Sequence, residues 1–167
     1  MLILDGDEEK AAALVREIVT ECEPFAPNKE KLKAEFGITD AEKIAGFSHI
    51  ESAVAHAKRS FAEGKAIARS LSMEILVYVS GQRQCSLASK FGLHEGENSV
   101  YVLVLDGDEE KAAELVKEIV TECNPFAPNE ERLKAEFGIT DAEMEAAGEN
   151  RIEELVIERV ALVDAWK

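Results

Sequence analysis

Residues 4–42 recur almost unchanged at 105–143, offset by 101 positions, and no other feature of the chain limits its possible folds so tightly. The two stretches differ only at Ala13/Glu114, Arg16/Lys117, Glu23/Asn124, Lys29/Glu130 and Lys31/Arg132. They part after a shared Asp-Ala-Glu, at Lys43 in the first copy and Met144 in the second. Solenoid repeats keep a sparse set of core positions and stack directly on one another. Here near-identical segments flank an unrelated one, which points to a recent or artificial duplication joined at Asp-Ala-Glu. At 167 residues the chain suits one ordinary domain, 1–167, so the surplus copy must share that core or pair elsewhere. Pairing with a second chain, as a homo-oligomer formed by domain swapping, is one such outcome.

Each copy opens on LDGDEEKAA. Asp5 with Asp7, or Asp106 with Asp108, has the Asp-x-Asp spacing of a magnesium-dependent phosphoryl-transfer enzyme, in which a strand delivers two carboxylates to the metal. The same residues suit a strand-to-helix turn, with Gly6 or Gly107 at the bend, an Asp as cap and the Glu residues at the positive end of the helix dipole. The turn is the better reading, because no Ser, Thr or Lys follows in a phosphate-binding context.

Little else resembles a catalytic or metal centre. Cys22, Cys85 and Cys123 are odd in number and widely spaced, which suits reduced thiols rather than a disulfide framework. His49, His56 and His94 lack the spacing of a metal site. No nucleophile, base and orienting group can be assembled, so neither catalytic residues nor a cofactor nor a metal is expected. A net charge of −15 repels nucleic acid and anionic membranes overall, and no run approaches a membrane span. An acidic flank follows the N-terminus, and the expectation is a cytoplasmic protein.

Periodicity places a helix over 48–62, with Ile50, Ala53, Val54, Ala57 and Phe61 on one face. The runs MEILVYV (73–79) and SVYVLVL (99–105) read as buried strands, with LILD near 2–5 as a third. Asn129 caps a short helix that Gly138 stops, and Thr140 with Glu143 makes a capping box for the next. The last helix, from Arg151, is apolar on more than one face, so one side is expected to pack inward and the other to meet a partner. The fold class predicted is α+β: a small central sheet of strands near 2–5, 73–79 and 99–105, packed with several helices and a long C-terminal helix.

The stretch SGQRQ at 80–84 places two amides and a guanidinium after the second strand, a composition suited equally to recognising phosphate or base edges and to solvating and capping an exposed turn. Residues 49–92 carry six Lys and Arg against three Glu, a local balance of +3 that leaves −18 for the remainder.

From about residue 41 to the end the chain resembles the kinase-binding subunits of the KEOPS (EKC) complex, a TPRKB-like family. The resemblance rests on Ala45, His49, Ala57, Glu74, Ile75, Leu76, Ser80, Gly81, Arg83, Gln84 and Gly92, in that order, and on the terminal helix. It implies an archaeal-like, non-catalytic adaptor that binds the small atypical kinase of the complex. It also implies help in engaging tRNA, at the 3′ CCA end, for threonylcarbamoyladenosine modification. Val156, Val160 and Val163 are then expected to face the kinase, and Lys65, Arg69, Gln82, Arg83 and Gln84 to lie nearest RNA. The front of the chain departs from the family, since a second copy of the C-terminal portion stands before about Asp40. A rearranged or engineered chain with impaired binding is therefore a third possibility.

Overall fold

The computed structural model describes residues 2–7, 35–92, 97–105, 121–122, 128–148 and 150–165. The chain divides into two compact units, one formed by Met1–Ala41 with Leu93–Phe126 and the other by Glu42–Gly92 with Ala127–Lys167.

The first unit holds four short strands, β1 (Leu2–Asp7), β2 (Glu35–Asp40), β3 (Glu97–Leu105) and β4 (Thr121–Glu122), in the order β2-β3-β1-β4. Every pairing is antiparallel, with Leu4 opposite Val100, Ile38 opposite Val102 and Asp5 opposite Thr121. The Asp5-Gly6-Asp7 stretch, expected to turn into a helix, instead continues β1 opposite Ser99, Asn98 and Glu97. Its counterpart at 106–108 lies outside the described residues.

The second unit overturns the expected α+β domain around a central sheet, because among its described residues every element is helical. These are a 3₁₀ turn whose last residues, Glu42 and Lys43, open the unit, α1 (Phe47–Ala62), α2 (Leu71–Val79), α3 (Cys85–Ala88) with a 3₁₀ turn over Ser89–Phe91, α4 (Glu130–Phe137), α5 (Asp141–Ala147) and α6 (Ile152–Ala165). Residues 73–79, expected as the central strand, are the body of α2. A short apolar run flanked by turn residues fits a buried strand and a buried helix equally well, and burial on nearly all sides produced the run here. Glu74, Ile75, Val77, Tyr78 and Val79 are all buried. Ser70 starts the helix, its hydroxyl accepting from Met73 N at 3.3 Å.

Helix α1 begins at Gly46, which has no side chain to cap it. The cap comes from α6: Glu153 Oε1 accepts from His49 N at 3.2 Å, and a Cβ on Gly46 would collide with that carboxylate. Near the other end of α1, His56 and Arg59 meet Asp164, so α1 and α6 run parallel and are tied at both ends. The core between the helices is built from Ile44, Ala53, Ala57, Val77, Leu133, Val156 and Val160.

The duplicated sequence does not fold the same way twice. Glu35–Asp40 is strand β2, whereas the identical hexapeptide at 136–141 ends α4, turns and starts α5. In the second copy Asn129 accepts from Arg132 N at 3.0 Å, Leu133 and Phe137 are buried one turn apart, and Gly138 adopts the left-handed conformation at φ 61°. The Thr140–Glu143 capping box then opens α5. The first copy has Lys29 where Glu130 sits in the first turn of α4, which reverses a favourable charge at the helix N-terminus.

Candidate interaction surface

Helix α6 buries Ile152, Leu155, Val156, Val160 and Val163 along one stripe. Val156, Val160 and Val163, expected to face a kinase, are therefore core residues: a side chain with no exposed surface offers nothing to a partner. The opposite face carries Glu154, Glu158, Ala161, Leu162 and Ala165, all exposed, with Leu162 at 41% the large apolar side chain among them.

Side chains of α6 beside that face are tied to neighbouring elements. Asp164 Oδ1 accepts from Tyr78 Oη at 2.5 Å, and its Oδ2 accepts from Arg59 Nη2 and lies 2.6 Å from His56 Nδ1. The His56 and Tyr78 rings pack with centroids 5.4 Å apart. Midway along α6, Arg159 Nε donates to Phe137 O at 3.3 Å and Nη2 to Glu143 Oε1 at 2.6 Å, fastening the turn between α4 and α5. The Thr140 backbone amide first, and Arg159 with it, hold the Glu143 carboxyl at about 2.

The SGQRQ stretch is the end of α2, where a strand-to-helix turn was expected. Gly81 N donates to Tyr78 O at 3.0 Å and Gln82 N to Val77 O at 3.2 Å, the paired bonds of a Schellman cap. Gly81 supplies the required left-handed residue, φ 62°. Ser80 Oγ donates to Val77 O and accepts from Gln82 N, which leaves Arg83 and Gln84 exposed and Gln82 half-buried. Helix α3 beyond it has only four residues, too short for a phosphate site at its start.

Lys65 and Arg69 are exposed, on the loop before α2. Because α2 separates them from Arg83, the two parts of the expected RNA surface stand about 13 Å apart along the helix axis, at ~1.5 Å per residue. A buried carboxylate shapes the loop: Glu74 accepts from Ser60 Oγ at 3.0 Å, from Ile67 N at 2.9 Å and from Ala68 N at 2.7 Å. Glu63 then pairs with Lys65 at 2.7 Å. Neither Glu74 nor Asp164 was singled out from sequence as an organising residue. The available signal for Glu74 was its position as the single charge in MEILVYV; Asp164 meets partners about 86 and 108 positions away and gave no local signal.

His49 is a buried structural residue. Its Nδ1 accepts from Ala45 N at 3.2 Å, which requires the neutral ring with Nε2 donating to Val79 O at 2.9 Å. Burial lowers its pKa from 6.5 to about 4. Above pH 6.5 the ring is neutral in both folded and unfolded chains and its stability contribution is complete. Between 6.5 and 4 the unfolded chain takes up a proton that the folded one excludes, so acidification removes about 3 kcal/mol at ~1.4 kcal/mol per pH unit. Urea midpoints are expected to fall from pH 7 to 4.5, and this slope should flatten in His49→Gln; an equally steep slope in the variant would refute the assignment.

Of the Asp-x-Asp pairs, Asp5 and Asp7 lie within β1, and Asp106 and Asp108 are outside the described residues. Among the described residues no group of three or more His, Cys, Asp or Glu could hold a metal ion, and no helix is long and apolar enough to cross a membrane.

Residues 9–164 match the model of the family described as "Kinase binding protein CGI-121". The chain belongs to that kinase-binding family. No curated protein matches it.

Proposed function

We propose that this chain is a non-catalytic adaptor of a KEOPS complex, presenting the exposed face of α6 to the complex's small kinase. The family match across 9–164 carries this reading. The ties of α6 at Glu153, Arg159 and Asp164 support it, since a rigid face loses little entropy on binding. The kinase contact is assigned to Leu162 with Ala161, Ala165 and Glu158 around it, and not to the three buried valines. Pull-down with the cognate kinase tests the reading, and failure of the unaltered chain to bind would end it. Leu162→Glu is expected to weaken binding at least tenfold with unfolding unchanged; full binding by this variant would move the contact elsewhere.

In the same reading, Lys65, Arg69, Gln82, Arg83 and Gln84 contact tRNA, at its 3′ CCA end, to support threonylcarbamoyladenosine modification. The exposure of Lys65, Arg69, Arg83 and Gln84 and the local positive balance in an acidic chain favour them, because phosphate contacts depend on local charge. Arg83→Glu is expected to weaken tRNA binding severalfold and to reduce its salt dependence by one or two phosphate contacts. An unchanged salt slope would exclude Arg83.

A further inference from the structure

We infer that the two copies of the duplicated segment are alternative occupants of one seat on the helical unit. In this structure the second copy fills it: Phe137 packs edge-on against His49 and Phe91, each with ring centroids 5.6 Å away, and Arg159 fastens Phe137 O and Glu143. Leu133, Phe137 and Ile139 supply the buried contacts.

Every residue of the second copy that makes those contacts is present in the first. In sequence Phe36, Gly37, Ile38, Thr39 and Glu42 stand for Phe137, Gly138, Ile139, Thr140 and Glu143. The first copy also ends beside the seat, since Glu42 forms an ion pair with Arg132 of α4 and Lys43 lies over the Phe91 ring. A segment tethered that close competes at high effective concentration. Its local structure already agrees in part: the residues after Thr39-Asp40 form a helical turn, as those after Thr140 do. What holds residues 35–40 out of the seat is the pairing of β2 with β3. The chain therefore contains a conformational switch in which residues 35–40 leave the sheet when the second copy releases the seat.

A cycle of two glycine substitutions tests this. Gly138→Val cannot adopt the left-handed turn, so it releases the second copy; Gly37→Val blocks the first copy from making the same turn while suiting a strand. With the unaltered first copy available, Gly138→Val is expected to lower the folded-to-unfolded ratio of the helical unit modestly. In the Gly37→Val background the same change should cost at least tenfold more. Equal costs in the two backgrounds would overturn the inference.

Hydrogen exchange supplies a second reading if the double variant does not fold. Amides 35–40 are expected to lose protection in Gly138→Val alone, and retained protection would overturn the switch. A coupling that grows with protein concentration would instead show exchange between molecules and would overturn the version within one chain.

Discussion

Glu74→Ala lowers the stability of the helical unit by about 3 kcal/mol, as read from urea unfolding at neutral pH. The carboxylate is fully buried and receives Ser60 Oγ and the amides of Ile67 and Ala68. Alanine leaves those donors without it in a space too dry to hydrate them readily, and each buried unsatisfied group costs about 1–3 kcal/mol. The effect is not confined to stability, because these bonds set the path of the loop carrying Lys65 and Arg69. Glu74→Gln separates the contributions: its oxygen can keep one amide bond, while its NH₂ meets donors where the second oxygen was. An alanine variant within 0.5 kcal/mol of the parent, at the ~0.5 kcal/mol scale of neutral surface changes, would show that the loop is held by other contacts.

Val160→Glu is the second large effect, and it contrasts with Leu162→Glu. Val160 has no exposed surface, whereas Leu162 stands two residues along on the open face of the same helix. A carboxylate at 160 must be buried without a cation or be protonated, and either costs the fold about 4 kcal/mol. Loss of kinase binding in that variant would therefore accompany melting of the far-ultraviolet circular dichroism signal. Equal stability of the two variants would mean that α6 is rotated about its axis from the orientation described.

The contrast also shows which parts of the architecture were legible in the amino-acid pattern. The Asn129 cap, the Gly138 stop and the Thr140–Glu143 box are local, each depending on residues within one turn, and the structure has all three. Helix α1 was readable because its apolar stripe is amphipathic. The identity of 73–79 was not readable, since a helix buried on most sides has no polar face to mark its period. The fate of EFGITD could not be read from its six residues at all, because the same letters make a strand at 35–40 and a helix end at 136–141. What differs is the setting: β3 lies beside one, and His49, Phe91 and Arg159 receive the other.

The apolar excess of the terminal helix was likewise visible, but the inward face could not be chosen by counting apolar residues. Val156, Val160 and Val163 look as suitable for a partner as Leu162 does until the structure shows them buried. The Lys and Arg of 49–92 are all exposed, as the cost of burying a charge leads one to expect, although the same segment buries Glu74. Their division by α2 depended on reading that element as a helix.

The backbone of Gly81 lies so close to α6 that a methyl group there would sit 3.2 Å from Arg159 Cβ. The turn bearing Arg83 and the helix bearing Leu162 are thus separated by one layer of atoms, with no intervening side chain to absorb a shift. Glycine at this position therefore sets how closely the end of α2 can approach α6, and any larger residue would push the two helices apart.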